Sequence, residues 1–117
     1  MAESILKSKS YNFAVRMVNL SKFLTVKKKE FQLSKQILKS GTSIGALIRE
    51  AEFAQSKNDF ISKLSISLKE ANETDYWLDL LKDTGYLSNE DYKSLKTECK
   101  ELISILVASI KTSKKNK

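Results

Sequence analysis

The sequence contains no histidine and no proline, and only one cysteine and three glycines in 117 residues. Without histidine, the usual general base near neutral pH and the commonest metal ligand are both missing. Cys99 stands alone, so no disulfide closes within the chain and no Cys/His zinc cluster can be assembled. A chain this poor in Pro and Gly does not suit an all-β domain, whose turns depend on them. No run of 18 apolar residues occurs that could span a bilayer as a helix. Met1-Ala2-Glu3-Ser4-Ile5-Leu6-Lys7 also lacks the apolar stretch of a signal peptide. A cytoplasmic location is therefore expected, with no metal and no cofactor.

What is present is charge and apolar periodicity. Charged residues make up 30% of the chain and apolar ones 41%, with a net charge of +7. The charge is uneven. Residues 1–57 carry 11 Lys/Arg against 4 Asp/Glu, whereas residues 58–117 carry 10 of each. Such a one-sided basic field attracts polyanions or acidic protein surfaces, unless it serves only solubility.

The apolar spacing predicts four helices. In the first, from Ser8 or Ser10 to about Thr25, Phe13, Met17, Leu20 and Leu24 recur at helical steps, and Tyr11, Val15 and Val18 widen the stripe. Lys27-Lys28-Lys29 reads as a connection. The second helix, from about Phe31 to Gln55, carries Ile37, Ile44, Leu47, Ile48, Ala51 and Ala54. Ser56 with Asp59 forms a capping-box pattern that opens a third helix running to about Thr84, where Gly85 suits a left-handed cap. That helix packs through Phe60, Leu64, Leu68, Ala71, Leu78 and Leu81, with Ile61, Trp77 and Leu80 alongside. Ser88 and Asp91 repeat the capping pattern. The fourth helix then carries Tyr92, Leu95, Cys99, Leu102, Leu106 and Ile110 (or Ser109), with Ile103 beside them. Cys99 falls on this stripe and reads as a small core residue.

Short connections make neighbouring helices antiparallel. The expected fold is all-α: a single-domain, antiparallel up-down-up-down four-helix bundle over residues 1–117, with its core at about 8–112 and frayed ends at 1–7 and 113–117.

Gly41 and Gly45 lie one turn apart inside helix two, where each costs roughly 1 kcal/mol relative to Ala. They leave a notch into which a neighbouring backbone or bulky side chain can press. Glu50, Glu70 and Glu73 lie on or beside faces that should be packed. Paired carboxyls can do acid–base work, but no nucleophile, phosphate loop or metal cluster accompanies them. They are expected to accept hydrogen bonds from Thr42, Ser43, Thr74 or Arg49, or to pair across a subunit contact. No catalytic residue is assigned.

Two charged lines run along helices three and four: Asp75, Asp79 and Asp83, and Lys93, Lys96 and Lys100. They read first as solvated faces; alternatively they oppose each other, within the chain or between protomers. The candidates for nucleic-acid contact are Lys22, Lys27, Lys28, Lys29, Lys35, Lys39 and Arg49. The lysines act as point charges, and Arg49 can fork a phosphate. With no base-reading motif present, any such binding is expected to be backbone-directed and salt-sensitive.

Several segments carry a family resemblance: Ser43-Ile44 with Glu50-Ala51, Ser56-Lys57-Asn58-Asp59-Phe60-Ile61, Ile66-Ser67-Leu68-Lys69-Glu70-Ala71-Asn72-Glu73-Thr74, Tyr76-Trp77-Leu78, and Gly85-Tyr86-Leu87. Together they resemble the four-helix-bundle family encoded in intervening sequences of bacterial 23S ribosomal RNA. That family is related to the accessory variability protein of diversity-generating retroelements. The resemblance spans about Phe13 to Ile110. Leu47 departs from a frequent Asn, Ser67 from a common Ala, and Asp75 from a frequent basic residue. The resemblance implies a homo-oligomer, typically a pentameric ring. It also implies RNA or DNA as ligand and, in one branch, a reverse transcriptase as partner. The expected function is thus a non-enzymatic, oligomeric nucleic-acid-binding accessory protein; the alternative is a protein–protein interaction scaffold.

Overall fold

Each expected stripe closes onto one core. The computed structural model describes residues 2–116, with side chains from residue 5. It contains α1 (Ala2–Val26), α2 (Gln32–Glu52), α3 (Lys57–Asp83) and α4 (Asn89–Lys115), packed in chain order and closed by α1 against α4. The bundle measures 47 × 22 × 19 Å. Phe13, Met17, Leu24, Ile37, Ile44, Leu64, Leu78, Leu81, Leu102 and Leu106 are all sealed from solvent. On the fourth helix Ile110 is buried and Ser109 half-buried, which settles that register.

The starts of α3 and α4 follow the sequence closely. Ser56 Oγ accepts the Asp59 N–H at 3.0 Å, and Ser88 Oγ accepts the Asp91 N–H at 3.1 Å. Each hydroxyl satisfies one of the orphan donors of a first turn. Gly85 takes φ +86, and the Tyr86 N–H reaches back to the Leu81 carbonyl at 2.8 Å, closing the end of α3.

Other expectations need correcting. The first helix begins at Ala2 rather than Ser8 or Ser10, because Leu6 extends the stripe seven residues before Phe13 and is itself buried. The last helix likewise runs past Thr112 to Lys115. Tyr11, Val15 and Val18 do not widen the core: they face outward, with 58%, 44% and 38% of their surface exposed. Leu47 and Ala54 are only half-buried.

The glycine notch is filled by α1. A Cβ on Gly41 would lie 2.3 Å from Met17 Cγ, and one on Gly45 would lie 3.3 Å from the Ser10 carbonyl oxygen. One glycine thus admits a side chain and the other a backbone. Hydroxyls complete the seams of α2. Ser21 and Ser34 hydroxyls meet at 2.8 Å against α1. Against α3, Ser40 and Thr74 hydroxyls meet at 2.9 Å, and Ser67 Oγ donates to the Ile44 carbonyl at 2.9 Å. All five side chains are buried, and their small size lets both neighbours approach α2 closely.

Cys99 is fully buried, and its thiol lies 3.4 Å from the Ala71 carbonyl oxygen. Burial, reinforced by the nearby Asp75 charge, pushes its pKa up to about 12. It is a core residue and a poor nucleophile.

Candidate nucleic-acid interface

The cations of the chain divide into two populations. Lys96 and Lys100 of α4 are drawn into an ion cluster with α3. The Lys96 ammonium lies 2.8 Å from Asp75 Oδ1 and 2.7 Å from Asp79 Oδ1, and Lys100 lies 3.3 Å from Asp75 Oδ2. Asp75 Oδ1 is buried and meets Lys96 as a charge, without a well-aligned hydrogen bond. Tyr92 donates its hydroxyl to Asp79 at 2.5 Å. Two members of each charged line therefore oppose each other within one chain, whereas Asp83 and Lys93 stay on solvated faces.

The cluster shifts its own titrations. Lys96, followed by Tyr92, holds the Asp79 carboxyl below its ordinary range. Burial acts to lower the Lys96 ammonium, but Asp75 and Asp79 outweigh it and raise the group. Tyr92 is raised by its bond to Asp79 and then by burial. Between α1 and α4, Lys9 pairs with Glu101 at 2.7 Å, and Arg16 with Glu98 and Ser94.

The seven candidate cations behave differently. Lys22, Lys27, Lys28, Lys29, Lys35, Lys39 and Arg49 are all exposed. None has a carboxylate within 4.0 Å among the described residues. Six gather at the α1–α2 end of the bundle: Lys22 on the last turns of α1, the three consecutive lysines in the connection, and Lys35 and Lys39 on one face of α2. Arg49 stands about 15 Å further along α2 than Lys39, given ten residues of helical rise.

The connection itself is tightly made. Lys29 adopts φ +55, a conformation that costs an ordinary residue about 1–2 kcal/mol, and the following Glu30 N–H bonds to the Leu24 carbonyl at 2.9 Å. The Glu30 carboxylate accepts the Ser34 N–H at 2.8 Å. That acid thereby caps α2, a task the N-cap residue Phe31 leaves undone. The α3–α4 connection reaches the same end, where Asp91 and Leu87 share a hollow with Phe23 and Asn19 of α1.

The carboxyls singled out in the sequence have separate surroundings. Glu50 is exposed and pairs with Lys63 at 3.5 Å, and Glu73 is exposed and accepts the Trp77 indole N–H at 3.0 Å. Glu70 is half-buried, and its backbone carbonyl takes the Thr74 hydroxyl at 2.8 Å. Of that group Thr74, Gly41 and Gly45 lie at buried interhelical contacts, whereas Glu50 and Glu73 are exposed and Glu70 is half-buried. Among the described residues no three His, Cys, Asp or Glu side chains converge as metal ligands, and no helix is long and apolar enough to cross a membrane.

Sequence periodicity missed a set of exposed aromatic rings. Phe23, Phe31, Phe53 and Tyr11 show 41%, 61%, 77% and 58% of their surfaces. Their signal was positional: Phe31 and Phe53 fall off the Ile37, Ile44, Ile48 stripe and onto the opposite face of α2.

Taken together, the fold and this surface define an all-α, single four-helix bundle with one strongly basic side. Residues 2–108 match the family described as 23S rRNA-intervening sequence protein, and the chain belongs to it. It is also similar to a protein of unknown function from the S23 ribosomal protein family of Bacteroides thetaiotaomicron. That crystal structure is 58% identical, with a TM-score of 0.94, over 95% of this chain and 99% of the other. No curated protein matches the chain.

Proposed function

We propose that the protein is a non-enzymatic, oligomeric accessory protein of the cytoplasm that binds the phosphate backbone of RNA or DNA. The observation carrying this reading is the set of seven exposed cations without carboxylate partners among the described residues, six of them gathered at the α1–α2 end of the bundle. A cation with no local counter-charge is available to displace counterions from a polyanion, which is the main source of backbone affinity.

Affinity for a generic RNA should therefore fall steeply between low and moderate salt. Changing Lys27, Lys28, Lys29, Lys35 and Lys39 to Glu should abolish binding while leaving the thermal melt in place. Absence of measurable binding at low salt would sink the reading.

A second feature supports self-association. Tyr11, Val15, Val18 and Val26 share the outer face of α1 at exposures of 38–60%, a stripe that a second protein surface would cover. The resemblance to ring-forming relatives makes a homopentamer the expected assembly, with a solution mass near five times 13.3 kDa. If the chain is instead a scaffold for another protein, such as a reverse transcriptase, its complex should survive nuclease and moderate salt.

A further inference from the structure

Basic residues account for attraction to any polyanion, but not for the aromatic rings held in water among them. On α2, Phe31, Lys35, Lys39, Arg49 and Phe53 fall on one exposed face, with Thr42 and Ala46 completing the steps of three and four. The track runs about 33 Å along the helix axis from residue 31 to residue 53, at the helical rise over 22 residues. Each end is a phenylalanine that the fold does not use. Phe31 occupies the N-cap without capping and Phe53 follows the last turn, the two 61% and 77% exposed. At the Phe53 end, a shallow hollow of ≈ 770 Å³ opens beside Gly45 between Tyr11, Arg49 and Phe53.

We propose that the outer face of α2 is a track for an unpaired nucleic-acid strand, on which Phe31 and Phe53 stack bases while Lys35, Lys39 and Arg49 hold phosphates. This rests on the backbone-binding reading above and narrows it to a substrate class. A ring face is useful only to a base that is free to leave its partner, so a duplex gains the cations but not the rings. The length suits single-strand sites, which cover about 4–16 nucleotides. It also gives Arg49 a place that the connection cluster alone does not, since it lies on the same face as Lys35 and Lys39.

The distribution does not fit a lipid surface. A helix lying in a membrane interface places cations at the borders of a continuous apolar stripe, whereas here the cations form the middle of the stripe and the rings its two ends. Two acids, Glu50 and Asp59, do line the hollow. They are engaged, Glu50 by Lys63 at 3.5 Å and Asp59 by the Gln55 N–H at 3.1 Å.

The test uses the full chain, a fluorescent 12-nucleotide single-stranded RNA and the same RNA as a blunt duplex, at low salt. The single strand should bind at least about tenfold more tightly than the duplex. A paired substitution, Phe31→Leu with Phe53→Leu, keeps apolar bulk but removes both rings. It should weaken single-strand binding by about tenfold or more and leave duplex binding unchanged, whereas Phe31→Trp should preserve it. A 12-mer carrying 2-aminopurine should lose fluorescence on the native protein and keep it on the ring-less variant. Arg49→Ala should lower the salt slope for the single strand by about 0.7. Circular dichroism checks that each exposed-site variant is folded. Equal affinity for strand and duplex, or indifference to loss of the rings, would overturn the track while leaving backbone binding intact. No binding of either RNA would defeat both readings. Tight binding to phosphatidylserine vesicles that the 12-mer fails to displace would also overturn the track, in favour of a membrane surface.

Discussion

The α1–α2 pair and the α3–α4 pair are built from similar lengths of helix, yet they are joined by different chemistry. Between α3 and α4 the partners are ionic: Asp75 and Asp79 on one side, Lys96 and Lys100 on the other. Between α1 and α2 the buried contacts are steric, with one exposed ion pair, Lys7–Glu52, at the rim: two glycines admit Met17 and the backbone of Ser10, and Ser21 meets Ser34. Of the lysines of α1, α2 and their connection, Lys7 and Lys9 have acid partners, whereas the other six remain on the surface as free charge. The α3–α4 seam instead consumes Lys96 and Lys100. Lysine thus ties the helices at one seam and is left free beside the other.

The largest consequence should appear at Lys96. Its side chain is 21% exposed and bridges two carboxylates, one of them on Asp75, whose side chain is only 16% exposed. Lys96→Ala should destabilise the fold by about 2 kcal/mol. That is less than the ~3–5 kcal/mol for breaking a fully buried pair, because Lys100 and solvent still reach Asp75.

The pH profile of stability should carry the same signature. Asp79 titrates below its unfolded value of about 3.9. Its contribution is therefore present above that value and is lost as pH falls through the lower folded one. Lys96 and Tyr92 titrate above their unfolded values of about 10. Their contributions are complete below that and are lost as pH rises through the raised folded values. Denaturant midpoints measured across pH should show both limbs in the native chain and weaker ones in Lys96→Ala, where the Tyr92–Asp79 bond alone sustains them. Unchanged limbs would mean that the cluster does not tie the two helices.

Much of this contrast was legible in the sequence, and the reasons are specific. Helical period and capping chemistry are local, so Ser56 with Asp59, Ser88 with Asp91, and Gly85 announced the termini of α3 and α4. Glycines one turn apart announced a notch on α2, although not that Met17 would fill it. Partnership is not local. Whether the Asp75 line met the Lys96 line or water depended on how α3 rotates against α4, which no spacing within one helix determines. Tyr11, Val15 and Val18 were misassigned for a related reason: they have helical spacing, but on the exposed side of α1 rather than its core side. The glutamates lie beside the stripe, and their partners, Lys63 for Glu50 and Trp77 for Glu73, follow from rotamers and helix rotation that no spacing records.

An intermediate effect is expected at Gly41, and it tests whether the α1–α2 seam is steric. Gly41→Ala gains about 1 kcal/mol of helix propensity. Its Cβ, however, would stand 2.3 Å from Met17 Cγ, on a side chain that is fully buried. Overpacking of that kind costs about 1–3 kcal/mol, so the net change should be a loss of about 1 kcal/mol. In a Met17→Ala background the clash is gone and the added methyl refills space, so the same substitution should become stabilising. Thermal or denaturant melts of the four chains complete the cycle. If Gly41→Ala is destabilising in both backgrounds, Met17 is not what the notch is for.

The smallest effect on stability should accompany replacement of Lys35 and Lys39, and its smallness is what gives the result its meaning. Both side chains are exposed and neither touches a carboxylate, so Lys35→Ala with Lys39→Ala should move the melt by no more than about 0.5 kcal/mol. Removing them also lowers like-charge repulsion one turn apart on α2, which acts slightly in favour of the fold. If the free cations of α1 and α2 exist to meet phosphates, the same double substitution should weaken RNA binding and reduce the salt slope by about 0.7–0.9 for each lysine lost. Lys96→Ala should do the reverse, lowering stability while leaving the RNA salt slope of the folded protein unchanged. A Lys35/Lys39 variant that binds as tightly as the native chain would show that an unpaired lysine here is only a soluble surface. The division between the two halves would then concern stability alone.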